Sequence, residues 1–285
     1  MDTFPLGGFS VARIGFGAMQ LPGPGVFGPP RDRAAALAVL RRAIELGVNH
    51  IDTAQFYGPD VANELIRDAL YPYPDKLALV SKVGARRDDS GGWLPVSEPA
   101  DLRRDIEANL RALGVDRLAA VNLRLFESDG PDQLFDDQLS VMMQARDEGL
   151  IGGIGLSNIN REHLLRALGR TEIVCVQNAF NLVQRESAAV LEECTRQGIA
   201  FVPFFPLGAA FARPNPVLSH HLVVDAAERL GRTPAQVALA WTLSVAPNVL
   251  LIPGTSSVGH LEENMDVASI ELDDETRETM NAVAA

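Results

Sequence analysis

What the chain lacks narrows the field first. Nowhere in its 285 residues is there an apolar run near the roughly 20 residues needed to cross a bilayer. The N-terminal segment MDTFPLGGFS has neither the basic head nor the apolar stretch of a signal peptide, so a cytoplasmic protein is expected. Cysteine is scarce. Cys175 and Cys194 form no CxxC and no metal spacing, which excludes a disulfide framework and gives no metal site; Cys175, inside the apolar run IVCV, reads as a small buried hydrophobe. Positive charge is in deficit, with 25 Lys+Arg against 37 Asp+Glu, a net charge of -12. Such a surface repels nucleic acid and anionic membrane, while local amides and a few basic groups can still hold an anionic cofactor. Also missing is a complete G-x-G-x-x-G. GFGAMQ has no third glycine, and IGGIGLSN has Asn158 where one would stand, which argues against an open doubly wound dinucleotide fold.

What is present is an alternation. Short apolar runs at 13–17, 49–53, 77–82, 118–125, 152–156, 173–177, 200–205 and 249–252 read as eight strands. Segments of helical period separate them: Leu102, Ile106, Leu110 and Leu113 fall on one face, and Thr233-Pro234-Ala235-Gln236 reads as a capping box with proline at the first helical position. Gly47, Gly114, Gly149 and Gly198 each close a helical run before a strand. Eight strand–helix units predict a single-domain α/β fold over 1–285, a (β/α)8 TIM barrel, whose active site lies at the C-terminal strand ends. Two connections are long, 84–98 and 206–221, and are expected to build a substrate pocket.

The strand tips carry the chemistry. NHIDTAQFYG puts Asp52 at the end of the second strand and Tyr57 in the following loop, and LVSKVG puts Lys82 at the end of the third. A phenol with its ordinary pKa of about 10 is a poor acid at neutral pH. A nearby ammonium favours its ionised form, and a carboxylate holds the ammonium in place. Lys82 sits in an apolar run, where an unpaired charge is costly, so Asp52 is its expected partner. Such a trio can protonate a carbonyl oxygen as hydride arrives at carbon.

GFGAMQL, NHIDTAQFYG, LVSKVG, IGLSN, VQNAFNLVQR and IPGTSSVGHLEEN, in this order and spacing, resemble the aldo-keto reductase family across essentially the whole chain. The resemblance implies a barrel that binds NAD(P)H in extended form and reduces aldehydes or ketones, with Tyr57 as general acid. The family's usual histidine at the fourth strand falls on Arg124, in VNLR. An arginine can donate hydrogen bonds to a carbonyl oxygen but stays protonated, so polarisation is expected of it; pairing with Glu127 or Asp52 is the structural alternative. The VNLR variant resembles a bacterial branch associated with NADPH-dependent reduction of pyridoxal to pyridoxine. A cofactor-binding regulatory protein and a sugar or polyketide ketoreductase are the rival readings.

By the same resemblance Ser157, Asn158 and Gln177 would hold the nicotinamide carboxamide, Phe205 would stack on the ring, and Leu207, Gly208 and Ala209 would meet the pyrophosphate. NADPH-committed members carry lysine and arginine where this chain has Gly254 and His260. Thr255, Ser256, Ser257, backbone amides and His260 remain for a 2′-phosphate, with Glu263 and Asn264 at the adenine; NADPH is expected, NADH being the alternative. Gln20, Phe56, Trp93, Phe126 and Phe211, all on loops after expected strands, are candidates for the wall of a pocket for a flat or apolar carbonyl compound. Arg86, Arg87 and Arg213 read as surface charge. A monomer or small homo-oligomer is expected.

Overall fold

Alternation of apolar strand and amphipathic helix carries through into three dimensions. The computed structural model describes residues 2–126, 132–208 and 214–283. An N-terminal hairpin, β1 (Thr3–Leu6) and β2 (Phe9–Ala12), precedes the barrel strands β3 (Phe16–Gly17), β4 (His50–Asp52) and β5 (Ala78–Val83). A second hairpin follows, β6 (Ala85–Arg87) and β7 (Trp93–Pro95), and then β8 (Ala120–Arg124), β9 (Ile154–Ser157), β10 (Cys175–Gln177) and β11 (Ala200–Phe201). The barrel strands form one parallel sheet in the order β11-β10-β9-β8-β5-β4-β3.

The eighth expected strand is present only as a seam. Val249 bridges Phe201 on one side and Leu251 bridges Ile14 on the other. Backbone bonds from Leu250 N to Phe201 O at 2.9 Å and from Leu251 N to Arg13 O at 2.8 Å close the ring. Strong tilt and twist in a closed barrel leave each strand few ladder positions, so the strands are shorter than the apolar runs that mark them.

Helices wrap the outside because one stripe of each is apolar. Pro99–Leu113 buries Leu102, Ile106, Leu110 and Leu113, as expected, and also Asp105 and Asn109. Pro234–Ser244 begins with the reciprocal Thr233–Gln236 capping box. The four helix-ending glycines at 47, 114, 149 and 198 all take positive φ. Both hairpins went unforeseen. The first turns on Gly7-Gly8, and its Leu6 and Val11 cluster with Ala78, Val80, Ala120, Cys175, Ala200 and Leu250 inside the barrel floor. The second occupies the long connection 84–98. Among the described residues no helix is long and apolar enough to cross a membrane, and no group of three His, Cys, Asp or Glu side chains is placed to hold a metal.

Candidate functional site

Strand register decides which side chains meet. Asp52 pairs with Val80, and Lys82 stands two residues on, so both point into the barrel. Lys82 pairs with Asn122, Arg124 with Ser157 and Ser157 with Gln177. Alternate residues of five neighbouring strands therefore line one inner layer at the C-terminal rim.

Within that layer the Lys82 ammonium forms an ion pair with Asp52 Oδ1, the two side chains being 6% and 3% exposed. It also donates to Thr53 O at 3.1 Å. Burial pushes the Lys82 pKa down, but Asp52 and Tyr57 outweigh it and hold the group above its ordinary value. Lys82 Nζ lies 5.0 Å from the centroid of the Tyr57 ring, so the phenol sits beside a permanent cation. The second oxygen of Asp52 accepts from Gln177 Nε2. The opposite atom, Gln177 Oε1, is buried with no partner. A buried acceptor left open at a rim of polar side chains suits a ligand N–H donor such as an amide.

Arg124 completes the layer. Its Nη1 is 3.5 Å from Ser157 Oγ, and its Cζ lies 5.4 Å from the centre of the Phe204 ring. Burial draws its pKa below the usual guanidinium value, opposed by Tyr57. It forms no ion pair with a described residue, Asp52 being engaged by Lys82 and Gln177; Glu127 lies outside the described residues. Below, Asn122 fills the space over Gly155, where a Cβ would stand 2.2 Å from Asn122 Oδ1. Cys175 donates to the same oxygen at 3.3 Å. This floor was not anticipated, since nothing in VNLR marks its asparagine.

The loop bearing Tyr57 is held from behind by buried polar groups. Thr53 Oγ1 donates to Asn63 Oδ1 at 2.8 Å, Asn63 Nδ2 to Asn109 Oδ1 at 2.9 Å, and Ser81 Oγ to that same oxygen at 2.6 Å. Asn109 Nδ2 in turn donates to Gln55 Oε1 at 2.9 Å. Phe56, expected in the pocket wall, is buried and meets Tyr57 edge-on at 5.2 Å and Trp93 at 5.6 Å, so it braces the tyrosine from within. Trp93 is 43% exposed and stacked by Arg87 at 4.0 Å. Arg87 also donates to Val26 O and Gly91 O, and Arg86 pairs with Asp105 at 2.8 Å; both arginines are structural.

Phe126 and Phe205 are exposed at the rim. Phe205 has φ 55, a conformation uncommon outside glycine, and its carbonyl accepts from Asn181 Nδ2 at 3.0 Å. Asn215 Nδ2 donates to Leu207 O at 2.8 Å, tying down the segment through Gly208. Asn158, also at positive φ, donates to Leu125 O at 2.8 Å and so commits its amide nitrogen to the neighbouring strand end. Ala209, Phe211 and Arg213 lie outside the described residues.

Across the mouth, Gln20, Arg31, Asp32 and Ser256 line a cavity of about 420 Å³. Arg31 is exposed. Asp32 turns its carboxylate to Ala35 N at 2.9 Å, capping a helix. Gly254 packs so closely that a Cβ would stand 2.5 Å from Gly17 O; no side chain fits there with this backbone. Thr255 accepts from Ser257 N, and Ser257 caps the helix bearing His260, Glu263 and Asn264.

Residues 13–285 match the aldo/keto reductase family. The chain is 49% identical over 286 aligned positions to pyridoxine 4-dehydrogenase of Escherichia coli strain K12, covering 99% of this chain and 98% of that protein. It is 40% identical to an uncharacterized oxidoreductase of Schizosaccharomyces pombe, over 96% of this chain and 87% of that one. Among solved structures it superposes on an aldo/keto reductase of Klebsiella pneumoniae in complex with NADP and acetate, with a TM-score of 0.80 and 26% identity over 98% of this chain and 94% of that one.

Proposed function

The chain belongs to the aldo/keto reductase family, and from that premise we propose that it reduces an aldehyde to an alcohol with NADPH, pyridoxal being the leading substrate. The observation that carries this reading is the sealed Asp52–Lys82 pair beside Tyr57. A buried cation held by one carboxylate keeps the phenol's surroundings positive without itself needing a proton from solvent. Tyr57 gives its proton to the carbonyl oxygen, Lys82 stabilises the phenolate left behind, and Arg124 donates to the oxygen as charge gathers on it. The bound nicotinamide supplies the hydride.

The rim fits that cofactor. Gln177 Oε1, buried and open, accepts from the carboxamide, with Ser157 and Asn158 beside it. Phe205 gives a ring face, and Leu207 and Gly208 give backbone. Thr255, Ser256, His260, Glu263 and Asn264 receive the adenosine end. At Gly254, where the resemblance implies a lysine in NADPH-committed members, a side chain is blocked by Gly17 O, and Arg31, which lines the same cavity as Ser256, supplies a cation for the 2′-phosphate instead. NADPH use is also supported by the relative from Klebsiella pneumoniae, a complex with NADP, and pyridoxal by the relative from Escherichia coli, a pyridoxine 4-dehydrogenase. Gln20, Trp93 and Phe126 wall the substrate position.

The test is absorbance of NADPH with pyridoxal. Wild type is expected to turn over, and Tyr57→Phe to lose the rate by at least about a hundredfold. Equal slow rates in both would sink the reductase reading.

A further inference from the structure

Arg124 carries more charge than carbonyl polarisation needs. Its guanidinium is mostly buried at the inner rim, flanked by Ser157 and the Phe204 ring, and no described carboxylate pairs with it. Asp52 cannot serve, because one oxygen holds Lys82 and the other holds Gln177. The group acting on Arg124 is Tyr57, which is uncharged as a phenol. Among the described residues, two cations and one carboxylate thus leave the layer with one surplus positive charge, on a guanidinium that is only partly exposed. A buried charge needs a counter-charge, and a neutral carbonyl offers only a dipole. The oxyanion of the transition state would balance it for an instant, until Tyr57 protonates that oxygen. A standing anion on the substrate balances it throughout.

We infer that Arg124 binds an ionised oxygen carried by the substrate next to its carbonyl, so that the preferred substrates are aromatic aldehydes with an ortho hydroxyl. This rests on the reductase reading of the same site. A guanidinium presents a planar fork of N–H donors that matches two adjacent acceptor oxygens. An aldehyde oxygen and an ortho phenolate lie in one plane at a spacing close to that of a carboxylate's two oxygens. A meta or para hydroxyl cannot complete the fork. Conjugation with the aldehyde acidifies the ortho phenol, so the anion is available near neutral pH. Short keto acids also pair a carbonyl with an anionic oxygen, but they would leave the Phe126 and Trp93 faces uncovered. During reduction the carbonyl carbon gains the hydride and its oxygen gains the Tyr57 proton; the ortho oxygen forms and breaks no bond.

The test uses two matched pairs, 3-hydroxypyridine-4-carbaldehyde with pyridine-4-carbaldehyde and salicylaldehyde with 2-methoxybenzaldehyde. Wild type is expected to favour the hydroxylated member of each pair by about tenfold or more in kcat/KM, mainly through KM. Arg124→Gln should shrink that ratio to near unity, and Arg124→Lys should restore part of it. A second readout needs no turnover. With the protein saturated by NADP+, salicylaldehyde added below its phenol pKa should show the phenolate absorbance band on binding to wild type and not to Arg124→Gln. Equal use of both members of each pair by wild type, a ratio unchanged in Arg124→Gln, or a stronger preference for phenylglyoxylate would overturn the assignment. If no aldehyde is reduced, the reductase reading fails, while the absorbance band still decides whether Arg124 binds the anion.

Discussion

Asp52 and Lys82 lie on adjacent strands and form an ion pair with almost no exposure to solvent, the carboxylate being shared with Gln177 from the far side of the barrel. The pair is therefore a structural element, and under the proposed function it serves catalysis as well. Removing one partner leaves the other charged and buried. Asp52→Asn is expected to cost about 3–5 kcal/mol of stability and to abolish turnover. The double variant Asp52→Asn with Lys82→Met should recover much of the stability and none of the activity. Urea unfolding set beside NADPH oxidation checks this; a double variant as unstable as the single would show that the pair itself holds the barrel together.

His50 gives the fold an acid limit. It points into the barrel two residues before Asp52, and neither ring nitrogen has a partner. Burial, with Asp52 opposing and Lys82 assisting, lowers its pKa from 6.5 to about 4. The unfolded chain takes up the proton first as pH falls. The contribution is thus fully present above pH 6.5 and is lost as pH falls toward 4, by about 3 kcal/mol. Urea midpoints measured at pH 7 and pH 4.5 should diverge for wild type and converge for His50→Met. A wild-type stability that stays flat over that range would refute the point.

Asn109 is the hub behind the Tyr57 loop. It accepts from Asn63 and Ser81 and donates to Gln55. Asn109→Leu strands several buried polar groups, each worth on the order of 1–3 kcal/mol when unsatisfied. A loss of about 3 kcal/mol is expected, together with a fall in kcat at unchanged cofactor affinity, because Thr53 and Gln55 lead into the loop that carries Tyr57. Thermal unfolding and steady-state kinetics separate the two effects; unaltered kcat in a folded variant would confine Asn109 to packing.

Cofactor choice is expected to turn on Arg31. Arg31→Ala should narrow the ratio of NADH to NADPH dissociation constants by about tenfold, read by quenching of tryptophan fluorescence. The obvious alternative, Gly254→Lys, is expected to lower stability without improving NADPH binding, because its Cβ would meet Gly17 O. Tighter NADPH binding in Gly254→Lys would show that β3 yields at Gly17.

Much of this was legible in the residues. Strand–helix alternation gave the barrel because a parallel sheet buried on both faces leaves continuous apolar runs. Asp52, Tyr57 and Lys82 stood out because a lysine in LALVSKVG demands a partner. The hairpin Thr3–Leu6/Phe9–Ala12 carries its signal in the Gly7-Gly8 turn, which lies outside the parallel strand–helix alternation. The Asn63–Asn109–Ser81 network had none. Asparagine on a helix face reads as solvated, and only the pairing of helix Pro99–Leu113 with β5 buries it. The double engagement of Asp52 was equally hidden, since Gln177 lies 125 residues away and meets it only across a closed ring.

The floor formed by Leu6 and Val11 has a kinetic meaning. With that end closed and the barrel interior packed with side chains, ligands reach the layer of Gln177 only from the C-terminal rim. Whatever rests against Gln177 has to arrive before the molecule that lodges at Trp93 and Phe126, and can depart only after it. Traffic through the rim is therefore last in, first out, and product inhibition should carry the pattern of a compulsory order.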